Sequence, residues 1–365
     1  FWISNAAGVA SSKSRVSLRV QQPNSNGLLT SASAIAEPVV VSTAAASTTI
    51  LDFTLVDGGG DGYPLDIGSL TFRVSGSIDP RSLLFTLDGP GVASAERIGS
   101  YNHSLRTLDF STSIEIADND SAVYTLSVSF DESLKSFGSV EGSTLIVSAN
   151  PSSDFNTSDG ATSFAEGSIT LNGTGTVLDV EATELVFIST PTSSISGTAF
   201  AQQPRIAARD AFGNTDTDFT EVISLSSSVG GGSLFGTLTE TAVAGVATFS
   251  SIGHTATSDG ESFRLTADDE VGVGTNLEPS STELLASDIR ASKLVFATQP
   301  GPSRVNTATT AWRDPVIHAV DVNGVLDSDF EGTVILRRIG GSGTTTVSSS
   351  SLTSTGDGLG LNSTA

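Results

Sequence analysis

Apolar and polar positions alternate along this chain in short bursts. Tyr124, Leu126, Val128 and Phe130 fall on one side of a seven-residue run, with Thr and Ser between them. A repeat of two residues is that of a β-strand with one buried face. Further bursts of this kind are Thr49–Val56, Leu70–Val74, Leu83–Leu87, Ile114–Ile116 and Leu145–Ser148. They predict an antiparallel β domain over 36–180. Residues 1–35 hold only strand-like pieces such as Val16–Val20 and are assigned to the tail of a preceding β domain or an N-terminal strand segment.

Beyond residue 180 the pattern repeats itself. Ala182-Thr-Glu-Leu-Val-Phe-Ile-Ser-Thr-Pro191 returns as Ala291-Ser-Lys-Leu-Val-Phe-Ala-Thr-Gln-Pro300. Pro204-Arg-Ile-Ala-Ala-Arg-Asp-Ala-Phe-Gly213 returns as Pro315-Val-Ile-His-Ala-Val-Asp-Val-Asn-Gly324. The register continues through Asp216-Thr-Asp-Phe219 against Asp327-Ser-Asp-Phe330, and through Leu225 against Leu336. Within a copy, Leu185–Ile188 predicts a first strand. Ile206 and Ala208 face inward on a second strand, with Arg205 and Arg209 outward. Asp210–Asn214 predicts a turn, because Asp bonds the backbone ahead of it and Gly supplies a positive φ. Phe219 and Val222–Leu225 lead into the next strand, followed by Leu234–Leu238, Val246–Phe249 and Phe263–Ala267. About six or seven short strands in about 110 residues is the spacing of a sandwich. The domains are therefore read as 36–180, a larger β-sandwich; 181–290, one repeat; and 291–365, a second and incomplete repeat, continued by more chain or completed by another.

These motifs, the "LVF…P" first strand and the strand end at Ala208–Asn214 followed by "DF", resemble bacterial Ig-like repeat domains of giant secreted and cell-surface proteins. The unit with Asp52-Phe-Thr-Leu-Val-Asp-Gly-Gly-Gly-Asp-Gly62 is similar to a companion β domain that occurs beside such repeats. The resemblance implies an all-β chain of tandem immunoglobulin-like antiparallel sandwiches, extracellular or on the cell surface. The second copy departs from the first at Asn323-Gly324-Val325.

Composition narrows the function classes. A net charge of −23 and a pI near 4.2 argue against nucleic acid and anionic membranes as partners. Of the 17 basic residues only Lys13, Lys135 and Lys293 are lysines, and the arginines are scattered, so no basic patch forms. Cysteine is absent, which rules out disulfides, thiolate metal sites and Cys nucleophiles. No apolar run is long enough to cross a bilayer as a helix.

Catalysis has little support. His103, His254 and His318 are scattered, and no nucleophile elbow, P-loop or zinc-binding helix motif occurs. Trp2 and Trp312 can form a sugar-stacking platform, but Trp2 sits at a terminus and a core or interdomain role is the simpler reading. The most site-like stretch is Asp57–Asp66, in which Asp57, Asp61 and Asp66 are interleaved with glycines. Such carboxylates can wrap Ca²⁺, which takes six to eight oxygens. A glycine-rich connecting loop is the competing and simpler reading. Asp118-Asn-Asp120 and Asp216-Thr-Asp218, the latter echoed by Asp327 and Asp329, are weaker candidates of the same type. A place for Asp216–Asp218 and its echo at a domain junction, where calcium would stiffen the array, stands against the simpler reading of these stretches as capped turns. Asn102, Asn119, Asn156, Asn172 and Asn362 lie in Asn-x-Ser/Thr triplets available for glycosylation.

The sequence thus points to a non-catalytic stalk or filament subunit. Its partners are copies of itself or neighbouring repeats, with surface glycans as a further class, and no cofactor is required. An adhesin region and an accessory region of a secreted hydrolase stand beside this reading.

Overall fold

A computed structural model describes residues 26–31, 38–41, 46–130, 140–157, 162–164, 167–269, 276–299, 315–334 and 359–360. Val16–Val20, Trp2, Trp312, Leu336 and Asn362 lie outside these residues. The fold is all-β and mainly antiparallel, interrupted by a one-turn helix at Pro151–Asp154 and a 3-10 turn at Pro80–Ser82. The chain divides into two compact units, Phe1–Asp179 and Val180–Ala365.

The first unit begins with β1 (Gly27–Ser31), β2 (Val39–Val40), β3 (Thr48–Asp57) and β4 (Leu65–Gly76). It continues through β5 (Leu83–Asp88), β6 (Ser100–Asn102), β7 (Thr107–Ile116) and β8 (Ser121–Phe130). It closes with β9 (Thr144–Ala149), β10 (Phe155–Thr157), β11 (Ile169–Thr170) and β12 (Thr176–Asp179). One sheet has the order β1-β3-β8-β5 and the other β2-β12-β9-β4-β7-β6, with β10 on β4 and β11 on β9. Residues 27–31, placed before the boundary at 36 on sequence grounds, pair with β3 from Gly27↔Asp57 to Ser31↔Phe53. The alternating face of β8 is buried as its pattern requires, Tyr124, Leu126 and Val128 completely. Ser127 and Ser129 on its other face are buried as well, so the end of this strand is covered on both sides. Phe53 of β3 meets Phe72 of β4 edge to face at 5.5 Å, which fixes where the two sheets pack together.

The second unit opens with β13 (Glu184–Ser189), β14 (Ser194–Ile195), β15 (Thr198–Ala199) and β16 (Arg205–Arg209). Next come β17 (Val222–Ser228), β18 (Ser233–Phe235), β19 (Thr239–Thr241) and β20 (Val246–Thr248). The first repeat ends with β21 (Gly253–Thr255), β22 (Glu261–Asp269), β23 (Ser280–Ser281) and β24 (Leu285–Asp288). Its core gathers Ile206 and Ala208 of β16, Ala247 of β20 and Phe263, Leu265 and Ala267 of β22 between the facing sheets. The strand predicted over Leu234–Leu238 is cut short at Phe235. Gly236 at φ +107° turns the chain there, and a Cβ at that position would sit 2.4 Å from the Ser251 carbonyl oxygen.

The second repeat rebuilds the opening of the first with β25 (Lys293–Thr298), β26 (Val316–Val320) and β27 (Leu359–Gly360). The sheet order β25-β26-β27 matches β13-β16-β20. Leu185↔Ala208 and Phe187↔Ile206 in the first repeat become Leu294↔Ala319 and Phe296↔Ile317 in the second. The pairing slips at the same place in each, after Phe187 and after Phe296. The copies differ in the burial of their first strand. Leu185 is buried, whereas Leu294, Val295 and Phe296 are exposed, since no second layer faces β25 among the described residues.

Candidate metal centre in the acidic loops

The glycine-rich loop leaves β3 at Asp57. Because Asp57 continues the inward face of Phe53 and Leu55, its side chain enters the sandwich and is completely buried. Its Oδ1 accepts the Thr162 hydroxyl at 2.8 Å, while Oδ2 has no hydrogen-bond partner. Burial raises the pKa of this carboxyl, and the charges of Asp118 and Asp61 raise it further, against the opposing effect of the Thr162 hydrogen bond.

The turn Asp118–Asp120 comes to the same place. Asp118 Oδ1 accepts the Asp61 N–H at 3.1 Å and its Oδ2 accepts the Gly62 N–H at 3.0 Å. The Asp57 N–H donates to the Asp120 carbonyl at 2.9 Å. Two acidic stretches that are separate in the sequence therefore form one structure. Gly62, at φ +85°, makes the turn that aims its N–H at Asp118.

Asp66 lies elsewhere. It sits on β4 opposite Glu115 of β7, on the face away from Leu65 and Ile67. Asp57, Asp61 and Asp66 do not converge on one point among the described residues. Asp118, rather than Asp66, completes the acidic group around the loop. Both of its oxygens are committed to backbone donors, as expected of a carboxylate that holds a loop closed.

The acidic turns of the repeats are likewise bonded internally. Asp210 Oδ1 accepts the N–H groups of Phe212 and Asn214, at 3.0 and 2.8 Å, and its Oδ2 accepts the Asn214 amide at 2.9 Å. In the second copy Asp321 Oδ1 accepts from the N–H groups of Asn323 and Val325. The amide donor has moved from Asn214 to Asn323, so the departure at Asn323-Gly324-Val325 preserves the turn. Asp216 Oδ2 accepts the Ala182 N–H at 3.0 Å and its Oδ1 the Phe219 N–H at 2.9 Å. Asp327 Oδ2 accepts the Ala291 N–H at 2.8 Å, but its Oδ1 has no hydrogen-bond partner.

The histidines do not assemble a site. His254 is completely buried and stacked on Phe263, with ring centroids 3.9 Å apart. His103 packs edge to face near Tyr101, and His318 occupies the strand position of Ala207. Among the sequons, Asn102, Asn119 and Asn156 are exposed. Asn172 is fully buried: its amide donates to the Leu145 carbonyl and Thr176 Oγ1, and its Oδ1 accepts the Val147 N–H. No such network is apparent from the triplet alone. No protein-family model matches the sequence, and no curated protein matches it significantly.

Proposed function

We propose that the chain is a non-catalytic extracellular structural protein, a stalk or filament segment of immunoglobulin-like repeats on a cell surface. The observation that carries this reading is the duplication. Register, slip, acidic turn and aspartate clasp recur together in the two copies. A unit repeated with its connecting contacts intact suits an array in which each sandwich buries its own core and a short junction sets the next one. The residues of β25 add a route to assembly. Leu294, Val295 and Phe296 present an apolar strand to which a further strand can be added.

Electron microscopy of the purified chain tests the proposal. Rods or ordered fibres, lost or shortened when Phe296 and Leu294 are replaced by Lys, are expected. Monodisperse compact particles at all concentrations would reject the filament form. Saturable binding to a glycan with no assembly would favour the adhesin reading instead.

A further inference from the structure

An asparagine stands directly before a glycine three times in the chain, at Asn26-Gly27, Asn172-Gly173 and Asn323-Gly324. Each step sets a side-chain amide beside a backbone nitrogen that no Cβ shields. The reaction open to such a pair needs only water. The glycine nitrogen attacks Asn Cγ, a C–N bond forms, and ammonia leaves with the proton that the nitrogen gives up. Water then opens the cyclic imide at either carbonyl, giving aspartate or isoaspartate. Asparagine is a thermolabile residue for this reason. The fold decides which of the three amides can meet its glycine nitrogen.

Two of them are held away from that geometry. Asn172 is completely buried, and its side chain is fixed by bonds to Leu145, Val147 and Thr176. Asn26 is exposed, but the Gly27 N–H donates to the Ser163 carbonyl at 3.0 Å. Gly27 also opens β1, with Asp57 on one side and Phe164 on the other. Freeing its nitrogen means lifting a strand end off both neighbours.

Asn323 is not held in this way. It lies in the turn after β26, exposed between the exposed Val322 and Gly324. Its amide reaches Asp321 Oδ2 only at 3.4 Å. The Gly324 N–H donates to the Asp321 carbonyl at 3.2 Å, a bond inside the turn that opens without parting any strands. A Cβ on Gly324 would meet nothing within 4 Å, so the backbone has room to swing toward the amide. The first repeat carries the protected form of this turn. There the amide comes from Asn214, which is buried, bonded to Asp210 Oδ2 at 2.9 Å and followed by Thr215.

We propose that Asn323 is a site of spontaneous deamidation, which turns the amide bracing the Asp321 turn into a carboxylate and loosens that turn of the second repeat. The new carboxylate lies beside Asp321, so like charge replaces a donor. Asp321 Oδ1 accepts the N–H groups of Asn323 and Val325. The isoaspartate form adds a methylene to the main chain between residue 323 and Gly324, which moves the Val325 N–H off its acceptor. The site is independent of whether the chain assembles.

The test ages the full chain in warm, mildly alkaline buffer and maps its peptides by mass spectrometry, with a parallel sample in denaturant. Asn323 should convert at least about tenfold faster than Asn26 or Asn172 in the folded chain, and the three should convert alike in denaturant. Hydrogen exchange in the aged chain should quicken at Val325 and stay unchanged at Asn214. In Asn323→Ser, ageing should leave exchange at Val325 as it was. An unreacted Asn323, or equal rates at the three sites in the folded chain, would overturn the site. A preference for Asn323 that persists in denaturant would overturn the role of the turn. Quickened exchange at Val325 in aged Asn323→Ser would overturn the link between the modification and the loosening.

Discussion

The Asp216 carboxylate accepts the N–H of Ala182 at 3.0 Å, joining the loop after β16 to the first residues of its own repeat. Its other oxygen takes the Phe219 N–H, so one side chain satisfies two buried donors. Asp327 and Ala291 repeat the first of these bonds at 2.8 Å. Asp216→Ala should leave both N–H groups unpaired in a buried place and cost about 3 kcal/mol. Asp216→Asn keeps an acceptor oxygen and should recover part of that loss. Denaturant unfolding of the three chains measures the difference, and equal midpoints for Ala and wild type would show that the clasp contributes nothing.

Much of this was legible beforehand, because strands and turns have local signatures. The inward face of Tyr124–Phe130, the split of Ile206 and Ala208 from Arg205 and Arg209, and the Asp210 turn all follow from spacing. The acidic groups were less legible. Asp57 reads as a loop residue, yet the alternation of β3 continues through it and carries it indoors. Asp118 meets Asp61 and Gly62 only because β7 and β8 return the chain to the end of β3.

His254 makes stability depend on pH. Its ring is completely buried on Phe263 and neither nitrogen has a partner, so burial lowers its pKa, against the opposing charge of Glu261. Below its ordinary value of 6.5, the unfolded chain takes up a proton that the folded one refuses. Stability should therefore fall as the pH drops from about 6.5 toward the folded-state pKa, by at most about 1.4 kcal/mol per pH unit. His254→Phe should flatten this dependence. Denaturant midpoints at pH 7.5 and 5.5 compare the two, and an unchanged slope in the variant would exclude His254 as its source.

Glu261 acts at lower pH. Its carboxylate accepts the N–H groups of Gly231, Gly232 and Thr257 and the Thr257 hydroxyl, and these bonds outweigh burial to bring its pKa down to about 2. A depressed carboxyl stabilises the fold above its unfolded value of 4.5 and loses that contribution as the pH falls from there toward 2. Glu261→Gln should unfold more easily at pH 7 by about 2 kcal/mol, since an amide replaces a charged acceptor. The gap from wild type should close near pH 2. A gap that stays constant would assign the loss to packing instead of charge.

Tyr124 fills a place in the first sandwich that only a glycine leaves open. Its ring is fully buried, its hydroxyl donates to the Pro90 carbonyl at 3.0 Å, and burial pushes its pKa up to about 12. A Cβ on Gly89 would lie 2.3 Å from Tyr124 Cδ1, closer than any carbon contact allows. Gly89→Ala should thus cost about 2 kcal/mol or more, because the ring is held between Phe53 and the Pro90 bond and cannot withdraw freely. Tyr124→Phe keeps the ring and loses only the hydroxyl, at about 1 kcal/mol. The two effects separate in Tyr124→Leu, where the clash disappears. Adding Gly89→Ala to that background should cost markedly less than adding it to wild type. Equal costs in both backgrounds would place the effect of Gly89 in its backbone conformation and not in the tyrosine above it.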